Sequence, residues 1–456
     1  MENVALVVMD TLRKDAFDRH FDWLPGTHFD NARSTSHWTG AVHSSLFTGL
    51  YPSEAGVYAH NREFDYPGPT LVEQLRDAGY TTRAYSSNVI VSSEFGFDRG
   101  FEEFTGSWNV ELALSDGRIY DWHTHLREEQ GLDRYVEGFR GSITDDCATL
   151  PSIWRGIELA TGRRVLDYGG HRAVKTVEKT DFGDREFLFV NIMEPHAPYY
   201  PPPEYRTVGS HERPEHPLYK APDDEDFDGG ALERAYEDCV RYTSDLYERM
   251  FDSLSESFDY VITVGDHGEL FGEHGFYEHT YGIFPELTHV PLAISETGRG
   301  EGNDATAGSG GAAGGTERRD EVVSLLDVHR TVLDLAEIEA PSRGQNLLEG
   351  VESRECLSEY HGIPHPRQVE ALQEWGTPRE QIHEYHEPLY AISLPSGYYG
   401  YETLSGFKER GIPEIDDPIA RLYALREDLD EREPSDDADA LPDSVVEQLE
   451  HLGYVG

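Results

Sequence analysis

Acidic, hydroxyl and imidazole side chains stand where short apolar runs of this chain end. Asp10 and Thr11 follow Val4–Met9 (VALVVM), Glu194, His196 and Tyr199 follow Phe187–Met193 (FLFVNIM), and Asp266-His267 follow Asp259–Val264 (DYVITV). Two carboxylates and an imidazole offer hard oxygen donors plus one nitrogen, a set that suits a divalent cation. A fourth element, Ser34–Gly56 (STSHWTGAVHSSLFTGLYPSEAG), puts Thr39 in a turn-like Trp-Thr-Gly-Ala ahead of a helical Val42–Phe47. A hydroxyl at a helix N-terminus gains from the amide dipoles, which also favour an incoming anion. A metal bound to the same oxygen would lower its pKa and activate it as a nucleophile. Taken singly, Asp10, Asp266 and Thr39 also suit helix N-caps. Taken together they can do chemistry only if the fold brings them to one place.

The surrounding elements predict that it does. The three apolar runs, with Val290–Ile294 (VPLAI), read as strands buried on both faces, the mark of a parallel sheet. Between them lie helical patterns: Thr70-Leu71-Val72-Glu73 is a capping box, and 231–252 and 327–337 are amphipathic. Alternating strands and helices predict a doubly wound α/β sheet, whose strands deliver Asp10, Glu194 and Asp266 to one carboxyl edge, where open α/β folds bind ligands. Past Gly350 the alternation weakens, and Leu389–Leu394 with Tyr398–Thr403 predict a hairpin across Pro395-Ser396-Gly397. The expected division is a catalytic α/β domain at 1–350 and a smaller C-terminal α+β subdomain at 351–456. Pro201–Asp228 and the Gly/Ala/Ser-rich Gly298–Gly315 read as surface excursions and candidate lids.

The 456 residues include 38 Lys+Arg against 87 Asp+Glu, a formal charge of −49, with 38% hydrophobic and 11% aromatic residues. That apolar content supports a sizeable core. The charge repels phosphate backbones and anionic membranes, so nucleic acid is excluded as the expected partner. Spread along the whole chain, it reads as adaptation to a salty solvent, where screening relieves self-repulsion. Cys147, Cys239 and Cys356 are too few and too scattered for a disulfide framework. No apolar run is long enough for a membrane span and Val4–Met9 is too short for a signal core, so the expected address is the cytoplasm.

VALVVMDTLRKD, WTGAVHSSLFTGLYPSEAG, NIMEPHAPYYPP and VGDHGELFGEHG, in that order, resemble the sulfatase branch of the alkaline-phosphatase superfamily. SLLDVHRTVLDLAEI and ARLYALREDLDE extend the resemblance over essentially the whole chain. It implies an alkaline-phosphatase-like, mostly parallel sheet flanked by helices, and a metal-dependent enzyme acting on sulfate or phosphate esters through a covalent intermediate. Position by position, Asp10 matches the first metal aspartate, Asp266 and His267 the later metal pair, and Thr39 the site of the formylglycine precursor. His43 stands at the signature's arginine, and His196 matches a histidine near the substrate's charged group.

Three departures shape the expectation. Thr11 replaces the second metal aspartate, and Thr39 cannot become formylglycine. Ser86-Ser87-Asn88 stands where the family carries a lysine segment. The resulting set looks like the single-metal, threonine-nucleophile arrangement of lipoteichoic-acid synthases. Asp10, Thr39, Asp266 and His267 would hold one Mn²⁺, Mg²⁺ or Ca²⁺, with His196 or His43 facing the substrate's oxygens. The substrate would be a small-molecule or glycan ester of sulfate or phosphate. The alternative is an attenuated relative that binds such a glycan without turnover. His274, His279 and His289 read as loop histidines of which one borders the pocket, Glu194 as an orienter, and Arg13 as a holder of the nucleophile region or a salt-bridge partner. The acidic run Asp428–Asp437 reads as a solvated face.

Overall fold

The computed structural model describes residues 1–106, 133–144, 152–153, 169–208, 218, 227–298, 315–364 and 366–432. Most of both candidate lids, Cys147 and residues 433–437 of the acidic run lie outside the described residues.

The main sheet contains β1 (Val4–Met9), β2 (Thr27–Arg33), β3 (Thr81–Ser86), β4 (Glu103–Gly106), β5 (Glu186–Ile192) and β6 (Tyr260–Gly265). A small hairpin of β7 (Leu270–Phe271) and β8 (Tyr277–Glu278) precedes its last two strands, β9 (Leu292–Glu296) and β10 (Glu317–Ser324). The strand order is β10-β2-β9-β6-β1-β5-β3-β4. Every pairing is parallel except those of β9, which runs antiparallel to both β2 and β6. The apolar Val290–Ile294 predicted a strand here. Burial on both faces makes it apolar whichever way it runs, so its direction was not readable from composition. The strands missed in sequence are the polar ones: β10 opens Glu-Arg-Arg-Asp at an exposed sheet edge.

β1 lies at the centre. Val4, Leu6 and Val8 join a core that includes Phe47, Phe97 and Leu325, while Ala5, Val7 and Met9 join the opposite core with Phe17, Tyr236 and Tyr247. This two-sided burial is why β1 reads as an unbroken apolar run. Helices Thr39–Thr48 and Leu326–Leu335 pack on the first face, and Lys14–His20, Gly170–Lys179 and Gly229–Ser257 on the second. The predicted capping box is present: Thr70 Oγ1 accepts from the Glu73 N–H at 3.2 Å, and the Glu73 carboxylate accepts from the Thr70 N–H at 2.9 Å.

A second, antiparallel sheet holds β11 (Cys356–Tyr360), β12 (Leu389–Ser393), β13 (Tyr399–Thr403) and β14 (Gly406–Arg410), with β12 and β13 forming the predicted hairpin. It docks against the loop ahead of Thr39: the Glu359 N–H donates to the Thr35 carbonyl, and Ser36 Oγ to the Glu359 carbonyl.

Candidate active site

Strand register sets the site. Met9 pairs with Ile192 of β5 and with Gly265 of β6, so the next residues, Asp10 and Asp266, leave the sheet side by side. Neither caps a helix: the helix after β1 has Arg13 as its N-cap. Thr39 comes from the other direction. The chain leaves β2 at Arg33, and the helix Thr39–Thr48, buried along its whole length, starts with Thr39 beyond the Trp38 N-cap. Gly40 is required next to it, because a Cβ there would lie 2.7 Å from the Trp38 ring. The helix N-terminus therefore faces the sheet's carboxyl edge with Thr39 in its first turn.

Oγ1 of Thr39 lies 3.2 Å from His267 Nε2 and 3.4 Å from Asp10 Oδ2. Donor atoms of Asp10, Asp266 and His267 lie within 4.8 Å of one another, and all three residues are fully buried. His267 gives its Nδ1 proton to the Gly268 carbonyl at 3.0 Å, so the Nε2 lone pair of the neutral ring points into the cluster, the orientation a metal ligand needs. Asp266 Oδ1 accepts from the backbone N–H groups of His267 (2.8 Å) and Thr11 (3.2 Å). Thr11 has φ 57°, a left-handed conformation that a β-branched residue rarely takes, and it thereby turns its N–H toward Asp266.

Two carboxylate oxygens in the cluster, Asp10 Oδ1 and Asp266 Oδ2, are buried with no hydrogen-bond donor. Burial first, and then the charge of Asp266, pushes Asp10 up to about 7. Burial likewise lifts Asp266 to about 7 against its backbone hydrogen bonds. Burial and the neighbouring charge of His279 push His267 down to about 4. Two unsatisfied carboxylate oxygens beside the unprotonated His267 Nε2 fit a divalent cation, to which all three can serve as donors.

Beside this cluster sits a complete ion pair. His279 Nδ1 donates to Glu269 Oε1 at 3.1 Å, and Tyr199 Oη donates to Oε2 at 2.8 Å. Burial opposes the His279 charge, but Glu269 outweighs it and pushes the imidazole up to about 9. The His279 ring lies 4.6 Å from the His267 ring and 5.2 Å from that of His196. His279 is thus the loop histidine at the site. His274 stacks on Phe284 and pairs with Glu286, and His289 bonds the Asp30 carbonyl.

The remaining candidates are placed as follows. His196 bonds the Ala197 carbonyl through Nδ1 at 2.6 Å, and its ring sits beside that of His279. His43 lies behind Thr39 with both nitrogens engaged: Nδ1 donates to the Thr39 carbonyl at 2.8 Å, and Nε2 accepts from Asn191 at 3.3 Å. Phe47, Phe97 and Phe189 surround its ring, and burial pushes it down to about 3, so it is neutral. It braces the helix start and carries no charge toward a substrate. Glu194 accepts from the Gly170 N–H, and Arg13 pairs with Asp15 and Glu273. Asn88 escaped the sequence reading. Its Oδ1 accepts from the Ile90 N–H, which turns Nδ2 toward Asp10 Oδ2 at 2.6 Å. The signal was its place just past β3, the strand beside β5.

A family model described as Sulfatase matches residues 2–338. The chain belongs to the sulfatase family. Among curated relatives, this sulfatase-family chain is 25% identical over 365 residues to the "Uncharacterized sulfatase YidJ" of Escherichia coli K12, with 74% of this chain and 66% of that protein covered. The chain therefore spans just under two thirds of that relative's length. Among solved structures it resembles a phosphonate monoester hydrolase from Silicibacter pomeroyi (TM-score 0.57, 17% identity, 94% of each chain). It also resembles a protein solved with its substrate D-glucosamine-2-N,6-O-disulfate (TM-score 0.51, 13% identity, 99% of this chain and 98% of that one). These likenesses establish the sulfatase fold, with its mostly parallel sheet and small C-terminal antiparallel sheet.

Proposed function

We propose that this sulfatase-family protein hydrolyses or transfers a monoanionic ester, either a sulfate monoester or a phosphate diester or phosphonate monoester, with Thr39 as nucleophile. The observation that carries the reading is Thr39 Oγ1 within 3.4 Å of both His267 Nε2 and an Asp10 oxygen at a helix N-terminus. Asp10, Asp266 and His267, with Thr39 Oγ1, would hold one divalent cation. When bound, it would lower the pKa of an adjacent hydroxyl and stabilise negative charge developing on the ester.

The chain's own residues supply the rest. Thr39 Oγ1 gives up its proton to water and bonds to sulfur or phosphorus, and the ester oxygen leaves with the electrons of the broken bond and takes a proton from water. Water, or an acceptor hydroxyl, then displaces the group from Thr39. The helix N-terminus favours the anionic group over Thr39. His279, held protonated by Glu269, adds a positive edge beside His196. Position 39 is threonine, which formylglycine chemistry does not use, so this is a formylglycine-independent route. Two carboxylates against one divalent ion, and Glu269 against His279, leave little net positive charge. That balance favours a monoanion over a dianionic phosphate monoester.

The test compares p-nitrophenyl sulfate, bis-p-nitrophenyl phosphate and p-nitrophenyl phosphate in Mn²⁺. One of the two monoanions should turn over fastest, and Thr39→Ala should lower kcat by on the order of 10⁴-fold. Turnover that survives Thr39→Ala refutes the nucleophile. Ligand binding without turnover in the unmutated protein would support the binding-only alternative. We also read the charge of −49 as salt adaptation, with thermal stability expected to climb between dilute and molar KCl.

A further inference from the structure

Arg33 ends β2 at the seam between the two sheets and is 5% exposed. Its guanidinium lies over the Tyr399 ring of β13, 5.0 Å from the centroid. A ring face attracts the charge but offers no lone pair to the in-plane N–H donors. Nε is buried without an acceptor, and among the described residues no carboxylate pairs with this side chain.

Among the described residues, the groups that act on Arg33 supply no negative charge. The Tyr399 hydroxyl is committed, accepting from Thr288 Oγ1 at 2.8 Å and donating to the Ile283 carbonyl at 2.9 Å. Burial keeps that phenol un-ionised and pushes the nearby Cys356 thiol up to about 12. His289 uses Nε2 on the Asp30 carbonyl, and burial together with the Arg33 charge pushes it down to about 4. Arg410, a second cation that acts on Arg33, is paired with Glu286. In a chain with 87 acidic residues to 38 basic ones, a buried cation with no carboxylate partner is an exception.

We propose that Arg33 binds a small monovalent inorganic anion, with chloride as its probe, in the seam beside Tyr399 and His289. The anion supplies the missing charge and accepts the unsatisfied N–H. The next residue, Ser34, donates its hydroxyl to the Asp266 carbonyl at 2.5 Å, so an anion on Arg33 also braces the loop that leads to Thr39.

The experiment is the melting temperature of the full chain at constant potassium, with chloride replaced stepwise by gluconate. Chloride should raise Tm along a saturating curve, by about 1–2 °C at tenfold its dissociation constant, and bromide should substitute for it. Arg33→Met keeps a packing stem without the charge, and its melting should be indifferent to the exchange. Chloride-independent melting of the unmutated protein overturns the site, as does an Arg33→Met variant that keeps the chloride increment. Should that variant not fold, chlorine quadrupolar NMR on the unmutated protein decides. Line broadening relieved by bromide supports the site, and broadening that bromide leaves unchanged overturns it.

Discussion

Two buried acid–imidazole groups lie one ring apart at the carboxyl edge of the sheet, and burial acts on them in opposite ways. In Glu269–His279 every partner is present: the carboxylate takes a proton donor on each oxygen, the imidazole is charged, and Glu269 is held below the usual carboxylate range despite burial. In Asp10–Asp266–His267 two oxygens lack donors, both carboxyls rise toward 7, and the imidazole falls toward its neutral form. The first group carries its own counter-charge, and the second, on the proposed reading, would take one from outside. Similar residue types at similar depth therefore have different roles, decided by whether the protein itself completes the pairing.

The contrast can be broken most forcefully at Asp266. Asp266→Asn should lower activity by about a thousandfold, the equivalent of several kcal/mol of lost charge stabilisation, and should remove the rise in Tm produced by Mn²⁺. In metal-free protein the same change should leave the melting temperature unchanged or higher, because it deletes an uncompensated buried charge and keeps an acceptor for the two backbone N–H groups. Glu269→Gln should act with the opposite sign. It strips a buried imidazolium of its partner, with a destabilisation of about 3–5 kcal/mol that metal does not restore, measured by denaturant unfolding. Equal signs for the two variants would erase the distinction between the groups.

A smaller effect sharpens it. Asp10 and Asp266 bind protons more tightly when folded than when unfolded, so the stability they provide in metal-free protein is fully present below pH 3.8. It is lost as pH rises toward about 7, then levels. Saturating Mn²⁺ holds the ionised form and should abolish that decline. His43, His267 and His289, buried and neutral, act in the opposite direction. The sign is therefore read as a difference between metal-free melts of the unmutated protein and of Asp266→Asn from about pH 5 to pH 8. An unmutated protein that gains stability relative to the variant as pH rises would contradict it.

Much of this was legible from residues alone because β1, β5 and β6 are buried on both faces. Such strands must be continuous apolar runs, and the polar residues that end them mark the ligand edge. Asp10, Asp266-His267 and the threonine ahead of a short helix stood out for that reason. His43 stood out equally but its ring packs among three phenylalanines, because each residue along a helix turns its side chain by about 100° and so decides which surroundings it meets. The direction of β9 was hidden because a buried strand is apolar in either orientation.

What the amino-acid order determined by itself is local: which runs are strands, where the capping box starts a helix, and which donors stand at strand ends. Tertiary structure alone decided which charges survive burial. It set Asn88 on Asp10, gave His279 the Glu269 carboxylate, and left Arg33 over Tyr399 with none. The reason is physical. Desolvation and Coulomb terms depend on what surrounds a group in space, and those surroundings come from segments far apart along the chain.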